Sequence, residues 1–391
     1  MPAVPVAKSV STMEMLASIV SFDTTSHRSN LDIISFIREW LDQFGIPYRI
    51  SGDPSGAKVN LHAIMGPVEA GGVAFSGHVD TVSVEGQPWT GDPFKLRRLD
   101  GRLHARGTCD MKGFVAAMLA AVPDITRRRL RRPVHLFVTY DEEVGYHGAK
   151  RLVDDLNVSG LKPAFCVVGE PSSMVPILAH KGRLSTQVKV HGLAAHSSGP
   201  HHSVNAVHSA AEAIAYLAKE SRRFAQQGPF EAGFLPPYTT VQVNAMECVS
   251  LPNTVPALAS FRAEWRNIPA DDPAQEFARF KAYVAEQIEP AMHAMHLKSG
   301  FEYEVPTILS ALSIPADHKF ARAVCEAAEM ANVGKVSYCS EGSLYQDAKI
   351  ASIVCGPGDV AQAHRPDEWI AESQLASCDN FIRRLVDLMA V

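Results

Sequence analysis

At 391 residues the chain is longer than one ordinary hydrophobic core organises, so two domains are expected. Its 46% hydrophobic and 20% charged content is that of a soluble globular protein. A net charge of -5 gives no general attraction for nucleic acid or a membrane surface. The seven cysteines (Cys109, Cys166, Cys248, Cys325, Cys339, Cys355 and Cys378) are odd in number, widely spaced and without a CxxC pair. That pattern points to reduced thiols in the cytoplasm and away from a disulfide framework or a thiolate zinc site. The opening MPAVPVAKSV lacks the apolar core of a signal peptide. No stretch approaches the roughly 18 apolar residues that a membrane span requires.

Helical spacing of apolar residues predicts helices over 12–21 and 31–44, the second stopped by Gly45 and Pro47. VNLHAIM (59–65) and the apolar run 73–79, ending about His78, read as strands. The Gly-, Pro- and Asp-rich stretch 81–100 reads as loop. An Ala-rich apolar segment from Met111 to Val122 is long enough for a buried helix. VHLFVTY runs as a strand up to Asp141, a helix follows from Gly148 to Leu156, and AFCVVG is a strand ending at Glu170. The basic run Arg127 to Arg132, interrupted by Leu130, reads as a solvated helix-to-strand connection. A polyanion site there would instead predict salt-sensitive retention on DNA.

Strands alternating with helices through 59–170 imply an α/β domain with a mostly parallel sheet. From about Lys181 the pattern changes to strand, helix, two strands, helix, strand. That order is expected of a ferredoxin-like α+β sandwich. The α/β pattern resumes after Ile314, with a helix over 317–331, strands at KVSYC and IASIVC, and a last helix from Ser373. The expected division is therefore residues 1–181 and 309–391 for a metal-binding catalytic domain, with 182–308 inserted as a lid or dimerisation domain.

Ligand-type residues recur where strands stop. His78 and Asp80 are two apart, so both face one way, which suits a metal-bound imidazole with a carboxylate at its other nitrogen. Asp110, in RGTCDMKG, precedes a helix. Alone it would read as an N-cap, but a carboxylate there also has two oxygens with which to bridge two ions. Glu142 and Glu143 follow a strand. They are either an exposed acidic turn or a metal ligand beside a general base. Glu170 follows a buried run, where a carboxylate is costly unless paired or metal-bound. His364 closes the series in GPGDVAQAHRPDEW. Two histidines with three or four carboxylates and no cysteine fit a two-metal hydrolase. Zinc is the expected ion, with cobalt or manganese as alternatives.

SGHVDTV, RGTCDMKG, YDEEVG, VVGEPS, AAHSS and AHRPDE, in this order, resemble the di-zinc aminoacyl hydrolase family. That family includes acetylornithine deacetylase, succinyl-diaminopimelate desuccinylase, glutamate carboxypeptidase and aminoacylase. GQPWTGDPF, RGTCDMKGF and CGPGDVAQAHRPDEW look most like the deacetylase branch. The resemblance implies hydrolysis of the amide bond of an N-acyl amino acid, with N2-acetylornithine as the expected substrate. Another acyl amino acid or a dipeptide is the alternative. It further implies that Asp110 bridges two zinc ions, that His78 and Glu170 complete one site, and that Glu143 and His364 complete the other. Asp80 would orient His78, and Glu142 would be the general base. His196, in AAHSS, would hold the oxyanion in the partner subunit of a homodimer. Asn253 and Arg266 would bind the substrate carboxylate, with Gly356 and Gly358 beside it. The chain departs from relatives at Ser340 to Ser343, at LPNTVP and at the pair His201 and His202. All three are expected near the substrate. A binding protein that kept the fold without turnover is a reading from another class.

Overall fold

The computed structural model describes residues 10–390. The signal-peptide reading of the first ten residues falls almost wholly outside them. The chain divides into two compact units. The first runs up to Ala179 and takes up Ser313–Gly334 and the chain from Ser340 onward; the second is His180–Leu312 with Lys335–Cys339. Each has its own apolar core. The sequence reading kept KVSYC with the catalytic part, whereas the structure groups Lys335–Cys339 with the second unit. There Lys335 Nζ pairs with Glu231 at 2.7 Å, and the Lys181 carbonyl accepts from Cys339 Sγ at 3.1 Å.

In the first unit, four parallel strands run side by side in the order Val134–Thr139, Val73–His78, Phe165–Pro171 and Ala351–Gly356. Antiparallel neighbours flank them: Val59–Met65 and then Tyr48–Gly52 on one side, Ile177–His180 on the other. The Val73–His78 and Val134–Thr139 strands are buried throughout, which is why they read as continuous apolar runs. Helix Lys112–Ala120 lies close over this sheet because two strand glycines make room for it. A Cβ at Gly169 would stand 2.0 Å from the Phe114 ring, and one at Gly77 would stand 2.8 Å from Val115. The helix Thr12–Val20 opens with a capping box, in which Ser11 and Glu14 satisfy each other's main-chain N–H.

The stretch expected as loop over 81–100 contains strand Arg97–Leu99. It pairs with Arg102–His104, which pairs with Trp369–Ala371. Each strand has three residues, too few for an alternating pattern to register. The basic run does sit between a helix and a strand: Arg128 pairs with Asp124 and Asp387, and Arg132 with Glu69.

The second unit orders its main antiparallel strands Thr240–Glu247, Leu258–Arg266, Arg183–His191 and Gly300–Tyr303, with Thr307–Leu309 also paired to Arg183–His191. Helix Ala206–Gln227 follows the first of these strands in the chain. The helical run Pro273–Tyr283, Val284–Ile288 and Glu289–Met295 precedes the last. This is the split βαβ arrangement of a ferredoxin-like sandwich. Asn205 caps the first helix by accepting from Val207 and His208 N–H, and Asp272 caps the second through Ala274. No helix among the described residues is long and apolar enough to cross a membrane. All seven cysteines are free thiols.

Candidate metal centre

The parallel strands of the first unit deliver their C-terminal ends to one edge of the sheet, where open α/β sheets place their sites. His78 is the last residue of its strand, in register with Thr139, just before the Asp141–Glu142–Glu143 turn. Glu170 lies near the end of the next strand. His364 lies in the loop after Ala351–Gly356, and Asp110 arrives from the turn ahead of helix Lys112–Ala120.

These side chains form two trios that share one residue. His78, Asp110 and Glu170 make the first, and Asp110, Glu143 and His364 the second; the ligand atoms within each trio lie within 4.8 Å of one another. Asp110 divides its oxygens between them. Its Oδ1 is 3.1 Å from His78 Nε2, and its Oδ2 is 3.2 Å from His364 Nε2. Glu143 Oε1 is 3.0 Å from His364 Nε2, and Glu170 Oε1 is 3.9 Å from His78 Nε2. The fit to cations is visible at Glu170, whose Oε1 is buried without a hydrogen-bond partner among the described residues. A buried carboxylate oxygen in that position calls for a positive charge.

Asp80 sits behind the trios. His78 Nδ1 donates to the Asp80 carbonyl at 2.9 Å and stands 3.4 Å from its carboxylate, which leaves Nε2 facing Asp110. The Asp80 carboxylate accepts from Ser26 Oγ at 2.8 Å and from the main-chain N–H of Glu142 and Glu143 at 3.1 and 3.3 Å. One carboxylate therefore orients His78 and the turn carrying both glutamates. Lys58 ties that turn further, bonding Asp141 and the Ser26 carbonyl.

The carboxylates of the two trios and Glu142 repel one another. Burial and the neighbouring Glu170 raise the Glu142 carboxyl well above the usual range. Burial and Asp110 do the same to Glu170, and burial raises Glu143. Burial also opposes ionisation of Asp110, but bonds to His364 and His78 hold it low. Burial works against a charged His78, yet Asp110 and Asp80 keep it raised. Asp110 and Glu143 push His364 up to about 10. Bound cations would relieve the same repulsion.

The remaining expected residues fall in both units. Gly356 and Gly358 lie in the first. A Cβ at Gly356 would come within 2.0 Å of the Gly169 carbonyl, and one at Gly358, where φ is +90°, within 2.7 Å of Cys109 Sγ. His196, Asn253 and Arg266 belong to the second unit. His196 is exposed and bonds Ser198 Oγ at 2.8 Å. The Asn253 carbonyl accepts from Ser197 N–H, and Arg266 Nε donates to Glu264 at 2.8 Å. His201 and His202 are exposed and pack ring against ring at 4.0 Å.

Ser340 to Ser343 do not behave as an open substrate wall, because all four are buried. The Glu341 carboxyl accepts from Thr139 Oγ1 at 2.6 Å, Tyr345 Oη at 3.2 Å and Ser76 Oγ at 3.3 Å. This departure therefore packs behind the strand ends that carry His78 and the acidic turn. Glu341 is one buried group that the sequence reading left without a role. Arg106 with Glu368 is another, although Glu368 stands inside the AHRPDE string.

Fold and paired trios together define a metal-dependent hydrolase. A family model described as peptidase family M20/M25/M40 matches residues 74–388. Acetylornithine deacetylase of Photorhabdus laumondii is 31% identical over 371 residues, covering 95% of this chain and 93% of that protein. Acetylornithine deacetylase of Proteus mirabilis is 33% identical over 361 residues, covering 90% and 88%. Among solved structures, an M20 family metallo-carboxypeptidase from Sulfolobus solfataricus superposes with a TM-score of 0.75 at 17% identity, covering 97% of this chain and 99% of that one. The chain belongs to peptidase family M20/M25/M40.

Proposed function

We propose that the chain hydrolyses the amide bond of N2-acetylornithine to ornithine and acetate, a step of arginine biosynthesis carried out in the cytoplasm. The observation that carries the chemistry is Asp110, which offers one oxygen to each of two His–carboxylate trios while Glu142 lies buried alongside. The substrate rests on the two curated relatives named above.

His78, Asp110 and Glu170 would hold one zinc ion, and Asp110, Glu143 and His364 a second; cobalt or manganese could take the same ligands. When bound, such a pair supplies Lewis acidity, lowering the pKa of a water toward about 7 and polarising a carbonyl oxygen. Glu142, which belongs to neither trio, takes the proton of the attacking water. It then delivers that proton to the nitrogen of the leaving amine. Asp80 keeps His78 in the tautomer that leaves Nε2 free for a ligand bond. Arg266 and Asn253 bind the substrate α-carboxylate, a role in which the Gly356 and Gly358 main chain takes part. His196 serves the centre of a second copy of the chain by donating to the developing oxyanion. A homodimer is supported by the edge strand Thr240–Glu247, where Met246 is exposed together with nearby Val249 and Leu251.

The test is amide hydrolysis with added zinc on N-acetylornithine, N-acetylcitrulline, N-acetylmethionine, N-succinyl-diaminopimelate and a glutamyl dipeptide. Preference for N-acetylornithine is the expected result. Preference for another member moves the substrate and keeps the mechanism. Two bound ions with no turnover across the panel would make the chain a binding protein.

A further inference from the structure

The loop 106–111 carries the carboxylate shared by both trios, yet it is a run of turns with no strand or helix to hold it. Its main-chain amides converge on one buried side chain. Glu368 Oε1 accepts from Cys109 N–H at 2.8 Å and Asp110 N–H at 3.1 Å. Glu368 Oε2 accepts from Gly107 N–H at 3.0 Å and from Arg106 Nη1 at 2.8 Å. Four donors surround this carboxylate, and three of them are the backbone of the Asp110 loop. Glu368 and Arg106 are each 1% exposed.

Arg106 carries the linkage to the other ligand loop. Its Nη1 also donates to the Arg365 carbonyl at 3.3 Å, and its Nη2 donates to Gln87 Oε1 at 2.5 Å. Gln87 Nε2 in turn donates to the carbonyl of His364 at 3.3 Å. The Trp89 ring covers the guanidinium at 5.0 Å, and its Nε1 donates to Gln87 Oε1. His364 itself has φ +63°, a left-handed conformation that a non-glycine residue keeps only where its surroundings impose it. A buried ion pair is a poor source of net stability, because desolvating both charges costs about as much as their attraction returns. This pair instead spends its hydrogen bonds on the backbone around Asp110 and at Arg365, next to His364.

We propose that Glu368 and Arg106 form a clasp, extended by Gln87, that sets where the bridging carboxylate of Asp110 stands relative to His364. They are positioning residues and touch no substrate. The proposal rests on the two-trio reading of the metal centre. Glu368 acts on Asp110 and hence on both ions, whereas Gln87 acts on the His364 loop and hence on one.

The experiment is zinc titration of the metal-free protein against a chromophoric chelator, with far-UV circular dichroism of the metal-free form. Glu368→Gln keeps the volume but replaces one acceptor oxygen with a donor, facing two of the four N–H groups. Both zinc affinities are expected to fall about 10- to 100-fold with the metal-free spectrum unchanged. Gln87→Leu is expected to weaken one step about 10-fold and leave the other as in the wild type. A purely structural role would alter the metal-free spectrum and leave the affinities of folded protein alone. Wild-type uptake of two ions with folded Glu368→Gln matching it would overturn the clasp alone. If Glu368→Gln does not fold, Gln87→Leu decides: a single weakened step supports the clasp, and two unchanged steps overturn it. A wild type that takes up no ion pair overturns the two-trio reading and the clasp together.

Discussion

His62 and His135 form a buried pair on adjacent strands of the first unit, 2.9 Å apart from Nε2 to Nδ1. His135 Nε2 lies 3.0 Å from the Gly71 carbonyl and donates to it, so its Nδ1 is the acceptor for His62 Nε2–H. Both rings are therefore neutral, and His62 Nδ1 is buried without a partner among the described residues. Burial, aided by His135, lowers His62 from 6.5 to about 3, and burial lowers His135 to about 4. Above pH 6.5 neither the folded nor the unfolded chain protonates these rings, and their full contribution to stability is present. As the pH falls through 6.5, the unfolded chain takes up two protons that the folded chain refuses until about pH 4. Stability is lost over that window. At pH 5 each ring has crossed ~1.5 pH units, worth about 2 kcal/mol, so the pair costs about 4 kcal/mol relative to pH 8. The assay is urea denaturation of the metal-free protein at pH 8 and pH 5, for the wild type and the double variant His62→Gln/His135→Gln. The double variant should be less stable at pH 8, and its deficit should shrink by about 4 kcal/mol at pH 5. A deficit equal at both pH values to within about 1 kcal/mol would refute the assignment of neutral buried rings.

Other outcomes are equally concrete. Glu142→Ala should keep both ions by elemental analysis and lose at least about 10²-fold in turnover; loss of an ion instead would mean that the two adjacent glutamates have exchanged roles. Asp110→Ala should lose both ions and Glu170→Ala one, read as zinc per chain after dialysis. Chelation should abolish hydrolysis and added zinc restore it. Gly358→Ala places a methyl group against Cys109 Sγ at a φ of +90°, and should destabilise the metal-free protein by about 1–3 kcal/mol in thermal or urea unfolding.

Much of the candidate site was legible because its ligand-type residues mark the ends of buried apolar runs. The apolar run beginning at Val73 gives way to the polar residues His78, Asp80 and Thr81, so the strand end and a candidate ligand coincide in the sequence. The same reasoning makes Glu142, Glu143 and Glu170 candidates. Asp80 was legible as a partner of His78 from its spacing, but its hold on the Glu142–Glu143 turn was not. The three-residue strands were illegible because three residues carry no period.

The sequence by itself determined the order of elements, the inserted α+β pattern, the thiol state and the inventory of candidate ligands. These depend on local periodicity and on residue type, which are one-dimensional properties. Only the tertiary structure decided that Asp110 turns one oxygen to His78 and the other to His364, residues 32 and 254 positions away. It alone showed Ser340 to Ser343 buried behind the strand ends, and Glu368 reaching back across 258 residues to the amide of Asp110. Such pairings are set by how the parallel strands bring distant loops to one edge of a sheet, and no local pattern in the chain encodes them.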